Sequence, residues 1–478
     1  MKRLTPERGS LGFGGRRPAP NAYCSLGSKN HQLVADKFKP GGAIRTLNQM
    51  RSPLPTGTIP VGVGLLINGF AAYGFLVISA RMLGPAAYAP LSILWTLVFL
   101  AGPGFFLPIE QELGRRLAGR REDEGTGNLI LRAGLAGAVI AAALIVAGLA
   151  AAGPLLDNLL GGQSLLLLGL LLAIAGYSIF YVTRGVLSGT GRFGRYGVLV
   201  GAEGVLRIGA CAVIALLGVS TAGPYGLMIG LVPLAAAAAV APKMIGRDRG
   251  SGPSVAWREL SGALSHLVTS QVLAQLLVNA GPLAVALLAT EAQQGEAGRF
   301  LACLVLARVP LFLFQAVQAA LLPKLAALVH HDRGIEFRIA LRRLTAGVSA
   351  VILAVCAGAF LLGPEAVRLF FGPEFELGRS DLFYLAAGSG IYMIAIVYAQ
   401  ALIALEGHSR VAVGWLAGLV GFVVATAAGS ELLLRVEWGL VTGGSVAALV
   451  MAGMAISRMR VRMPLMVTAT PAVDAART

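Results

Sequence analysis

Gln271, Gln275 and Asn279 recur at intervals of four in a stretch made mostly of Leu, Val and Ala, with Ser265, His266 and Ser270 beside them. Residues four apart share one face of a helix, so the three form a polar stripe on an apolar helix. Such a stripe either hydrogen-bonds to neighbouring helices or lines a hydrated cavity. The next apolar run carries Arg308, Gln315 and Gln318. Arg308 lies roughly nine residues inside that run, too deep to reach the interface easily. An unpaired Arg at the centre of a membrane helix costs roughly 2.5–3.5 kcal/mol, so it needs a counter-charge, water or an anionic ligand. A phosphate would meet that need, because the planar guanidinium fork matches its geometry. Glu203 and Arg207 form an i,i+4 pair of opposite charge; they either neutralise each other or offer Glu203 as a protonatable acid for coupled transport. Asn68 completes the set, because Leu65-Leu66-Ile67-Asn68 recurs as Leu276-Leu277-Val278-Asn279. The histidines are scattered, the four cysteines have no CxxC spacing, and no P-loop follows a strand. An enzyme, a cofactor and a metal centre are therefore not expected, nor direct ATP hydrolysis.

The surroundings make these polar residues informative. Hydrophobic residues form 56% of the chain and charged ones 13%, with a mean hydropathy of +0.75. A soluble domain carries about 25% charged residues, which this composition excludes. A hydrocarbon core of about 30 Å takes roughly 20 helical residues, and about twelve apolar runs of that length can be drawn. The later ones include 261–289, 299–322, 343–363 and 438–457. The text is also duplicated: segment 153–161 matches 363–372, and 185–192 recurs loosely as 401–408. The offsets stay within roughly 210 to 216 residues, as duplication of a whole half gives. The expectation is an all-α polytopic membrane protein, with two six-helix bundles around a central cavity. Secondary transporters share this plan, with the site between the halves.

The boundaries that follow are a basic N-tail (1–58), a first bundle (59–242), a linker (243–260), a second bundle (261–457) and a C-tail (458–478). The net charge of +16 is distributed asymmetrically. With both termini in the cytoplasm, the inward segments hold about 32 of the 39 Lys and Arg residues, a strong positive-inside bias. A polybasic face of this kind attracts anionic membrane lipids, so no nucleic acid is required. Residues 1–58 are polar, basic and rich in Gly, Pro and Ser; they read as a disordered tail, or as untranslated text if the start is Met50. Arg far outnumbers Lys, and Ala and Gly abound. This predicts a GC-rich bacterium and a plasma-membrane location.

Arg81-Met82-Leu83-Gly84-Pro85-Ala86-Ala87-Tyr88 resembles the R-x-LGP-x-x-(Y/F)-G junction of polysaccharide flippases in the multidrug/oligosaccharidyl-lipid/polysaccharide exporter superfamily. Further echoes are Arg184 with Gly185 through Phe193, Ala297-Gly298-Arg299-Phe300, Arg308-Val309-Pro310 with Leu322-Pro323-Lys324-Leu325, and Gly372-Pro373-Glu374-Phe375. Ala89 departs from the pattern, which has Gly there. The resemblance covers roughly residues 59–457. It implies two bundles in a V around a partly cationic cavity, alternating between the two faces. It also implies an undecaprenyl-pyrophosphate-linked saccharide or other anionic lipid as substrate, with Arg308 as a cavity cation and a polymerase or glycosyltransferase as partner. Drug/cation antiporters of the same superfamily are the rival; they often carry an acid where this chain has Asn68 and Asn279. A major-facilitator carrier would also have two six-helix halves, but the segment from Glu110 to Arg121 lacks its Asp-Arg loop motif.

Overall fold

The computed structural model of the protein describes residues 58–119, 126–245 and 257–462. The expectations for residues 1–57, most of the linker and the C-tail beyond 462 fall outside the described residues. Within them there is no strand. A lipid core supplies no water to satisfy backbone N–H and C=O groups, so Leu- and Ala-rich runs close their hydrogen bonds internally as helices.

The chain begins with α1 (Thr58–Ala101), a π-helical turn (Gly102–Phe106) and α2 (Leu107–Ala118). Next come α3 (Gly127–Ala150), α4 (Ala152–Asn158), α5 (Ser164–Gly189), α6 (Phe193–Leu216) and α7 (Ala222–Ile245). The second half holds α8 (Trp257–Val278), α9 (Ala280–Leu288), α10 (Gln294–Ala307) and α11 (Val309–His330). It closes with α12 (Gly334–Phe370), α13 (Arg379–Ala404), α14 (His408–Ala428) and α15 (Leu432–Arg462).

Ten helices are long and apolar enough to cross a membrane, and the bent pair α8–α9 brings this to 11. The first of them, Ile59–Ala118, has 60 residues, about three times what one crossing needs. It breaks at Gly84, whose φ of 69° and ψ of 169° are not helical. Its two arms are separate crossings, which gives the expected twelve.

Several boundaries differ from those expected. The seventh span, drawn over 261–289, breaks after Val278, close to the helix-weakening Gly281-Pro282, and bends by 55°. The eighth is not confined to 299–322 but is α10 and α11, interrupted at Arg308. The ninth is α12, 37 residues long, and the twelfth runs from Leu432 to Arg462. Hydropathy marks only the lipid-embedded part of a helix, whereas its backbone hydrogen bonds continue into polar turns such as the one bearing Arg338, Arg342 and Arg343.

The duplication is visible in the packing. In residues 58–245, α1 packs on α6, α5 on α7, and α2 and α3 on α5. In residues 257–462, α8 packs on α14, α13 on α15, and α11 and α12 on α13. Small residues allow the close crossings: a Cβ on Gly169 of α5 would strike the Gly226 carbonyl of α7. The halves meet where α1 lies against α10 and where α8 lies against the π-helical turn and α2. At the Gly84 end the contact is tight. The Nε of Arg81 donates to the Phe370 carbonyl at 2.7 Å, and its Nη2 donates to Leu369. Tyr88 packs edge-on against Phe375, with 5.8 Å between ring centres, and Gly298 sits directly on the Pro85 carbonyl.

Candidate functional site

The seventh and eighth spans break at the same place, and their breaks touch. α8 ends at Val278, with the Asn279 N–H closing the last turn on the Gln275 carbonyl at 3.0 Å, so the carbonyls beyond it need other donors. Arg308, between α10 and α11, donates from Nη2 to the Val278 carbonyl and from Nη1 to Asn279 Oδ1 at 3.4 Å. A cation therefore caps the negative end of the broken helix. Asn279 Nδ2 in turn donates to the Gln275 carbonyl at 3.0 Å and to Gln275 Oε1 at 3.3 Å. Val309-Pro310 keeps the break open, because Pro310 has no N–H to continue the preceding helix. A cavity of about 20 Å³ lies beside the guanidinium, lined also by Leu304, Ser389, Tyr392 and Leu440. That is room for roughly one water.

Two phenols complete the site and were not singled out from sequence. Tyr392 Oη donates to the Ala274 carbonyl at 3.0 Å, and Tyr73 Oη donates to Val305 at 3.3 Å. Among the described residues no carboxylate pairs with Arg308. The only sequence signal for either was a Tyr inside an apolar run, whose hydroxyl seeks a partner when buried.

The structure joins Asn279, Gln275 and Arg308, and separates Gln271, Gln318, Asn68, Glu203 and Arg207 from them. Gln271 lies about 12 Å from Asn279 along α8, and Gln318 about 15 Å from Arg308 along α11. The side chain of Gln315 lies outside the described residues. Asn68 belongs to a different cluster, in the first half. There its Nδ2 donates to the Val200 carbonyl at 2.9 Å and to Glu203. Glu203 forms an ion pair with Arg207, both 2% exposed. Tyr177 Oη donates to Glu203 Oε1 at 3.4 Å, and Trp95 lies under the Arg207 guanidinium at 5.4 Å. Glu203 thus has Arg207 as its cation, and Arg308 stands apart from it.

Glu203 is not the only buried carboxylate among the described residues. Glu110, Glu112 and Glu437 are buried too. Glu110, read as the start of a polar loop, lies inside the bundle because α2 continues past it. Arg184 Nε is 3.1 Å from its Oε2, and Tyr196 Oη donates to its Oε1 at 2.9 Å.

No protein-family model matches the chain. An uncharacterized protein of Mycobacterium tuberculosis (strain H37Rv) is 25% identical over 396 residues, covering 81% of this chain and 88% of the relative. A second uncharacterized protein of that strain is 27% identical over 398 residues, covering 80% and 86%. Among solved structures, an inward-facing multidrug resistance MATE family transporter of the MOP superfamily superposes with a TM-score of 0.67 at 16% identity, over 85% of this chain and 99% of that one. The chain has the MATE fold. An outward-facing MATE transporter superposes at 0.61 with 15% identity, over 85% of this chain and 95% of that one. A MOP superfamily transporter from Pyrococcus furiosus, described by a binding pocket of reverse polarity that suggests a different function, also gives 0.61 at 15% identity with the same coverage. With this fold the chain is a multi-pass membrane protein. A MATE arrangement, not a major-facilitator one, accounts for its two halves.

Proposed function

We propose that the protein is a secondary transporter that flips an anionic lipid, a saccharide linked to undecaprenyl pyrophosphate, across the bacterial plasma membrane by alternating access. The observation that carries this reading is Arg308: a guanidinium fixed where two broken spans meet, beside a small cavity within the second half, with no carboxylate partner among the described residues. Two of its nitrogens hold Val278 and Asn279, and the fork retains N–H donors for a phosphate oxygen. Broken helices that present backbone and charge to a cavity near mid-membrane are the usual binding architecture of secondary transporters. The motifs shared with polysaccharide flippases point to the same substrate class. Coupling through Glu203 and Arg207, and a polymerase or glycosyltransferase partner, belong to the same reading.

A drug/cation antiporter is the competing account, since solved structures with this fold include multidrug transporters. Like-charge repulsion from Arg308 disfavours an organic cation in that cavity. The test is flipping of a fluorescent lipid-linked oligosaccharide in proteoliposomes, beside efflux of a cationic dye. Arg308→Lys keeps the charge but loses the planar fork, and should retain partial flipping; Arg308→Ala should lose nearly all, at unchanged protein abundance. Dye efflux without lipid flipping in the wild type would favour the antiporter.

A further inference from the structure

Glu437 is fully buried on the second turn of α15, with an exposure of 0%. Neither of its carboxylate oxygens has a hydrogen-bond partner among the described residues. The charges acting on it come from two more acids, Asp381 at the start of α13 and Glu431 just before α15. On α10 the neighbouring titratable group is the buried thiol of Cys303, which donates to the Phe375 carbonyl. From α14 the hydroxyl of Thr426 meets α15 at Gly439 and is itself without a partner. α9 contributes no titratable residue. Arg435, two residues earlier on the same helix, does not neutralise it; its Nε is also buried and unpaired.

A bare carboxylate cannot stand in these surroundings. It would be desolvated, unbonded and repelled by two neighbouring acids, whereas the protonated acid carries no charge to desolvate. Among the described residues no three His, Cys, Asp or Glu side chains cluster here, as a transition-metal site would need.

Glu437 also has a position that matters. Leu440 and Gly444, one and two turns further along the same face of α15, line the cavity beside Arg308. Leu440 packs against Gly281 of α9 and Gly388 of α13, and so plugs the path between the acid and that cavity. On its other side lies the Gly84 end, held shut by Arg81 and by Gly298 on Pro85.

We propose that Glu437 is a proton-binding site, occupied while the Gly84 end is closed and emptied when that end opens and water reaches the carboxyl. The bound species is a proton, exchanged with water by simple acid dissociation, so the inference is independent of which substrate the cavity takes.

Infrared spectroscopy of the full-length protein in nanodiscs tests it through the carbonyl stretch of a protonated carboxylic acid. At neutral pH the wild type should show this band, and Glu437→Gln should lose a component equal to one carboxyl per protein. The isosteric amide is neutral and should leave the fold intact. If it does not, Glu437→Asp serves instead, by shifting the band. A disulfide between Arg81→Cys and Leu369→Cys should hold the band into alkaline pH, and reduction should let it bleach as the pH rises. The proposal is overturned if the band is unchanged in both Glu437 variants, or if it titrates identically in the locked and reduced protein.

Discussion

At the scale of single residues, the buried charges fall into two kinds. Glu203 with Arg207 and Glu110 with Arg184 are complete pairs, each bonded also to a tyrosine. Arg308 and Glu437 have no opposite charge among the described residues, and these two carry the proposals made above. The distinction gives a prediction for the paired kind. Arg184 reaches Glu110 while lying over the Tyr181 ring at 4.7 Å, so Arg184→Ala should strand a buried carboxylate. Removing one partner of such a pair costs about 3–5 kcal/mol. Thermal unfolding in detergent should fall accordingly, and Arg184→Ala with Glu110→Gln should recover most of the loss. Full loss in the double variant would mean that packing of the Arg184 stem, not charge, is what matters. Glu203 and Arg207 were legible in the sequence because their partners lie one helical turn apart. Glu110 and Arg184 were not, because only the crossing of α2 on α5 brings them together.

At the scale of elements, the motifs that gave the resemblance are the places where helices break or cross. Gly84 adopts a φ of 69° that only glycine takes without strain. Pro85 then restarts the helix, and Gly298 of α10 lies against its carbonyl. A side chain at 298 would push the halves apart at this end. Gly298→Val should therefore favour the state open there, by roughly tenfold or ~1.4 kcal/mol. The native thiol of Cys303, one turn further along α10 and fully buried, reports on it. Its maleimide labelling, read by mass spectrometry, should quicken in Gly298→Val, and an unchanged rate would mean that this contact does not govern closure. The apolar runs made the helices readable, and the repeated Asn68 and Asn279 marked equivalent points in the two halves. The breaks were legible too, since Gly281-Pro282 and Pro310 weaken the backbone hydrogen bonding of the seventh and eighth spans. Their pairing was not, because it exists only where Arg308 reaches the Val278 carbonyl from the other span.

At the scale of the whole molecule, duplication and charge together prescribe an orientation. The two halves repeat one packing scheme, and an even number of crossings puts both termini on the same side. The Gly84 end is poor in basic residues, with Arg81, Arg299, Arg368, Arg379 and Arg435 near it. The opposite end carries the turns around Arg192, Arg195, Arg333, Arg338, Arg342 and Arg343. The positive-inside bias predicts that the Gly84 end faces outward, which would make closure there an inward-facing state. Two exposed positions at opposite ends test the assignment: Asp157 at the tip of α4 and His331 after α11. In a Cys24→Ser background, whose other thiols are buried, an impermeant maleimide should label Asp157→Cys in intact cells and leave His331→Cys unlabelled until the membrane is opened. The reverse pattern would invert the protein. Closure at the Gly84 end would then leave Arg308 facing the outer leaflet instead of the inner one.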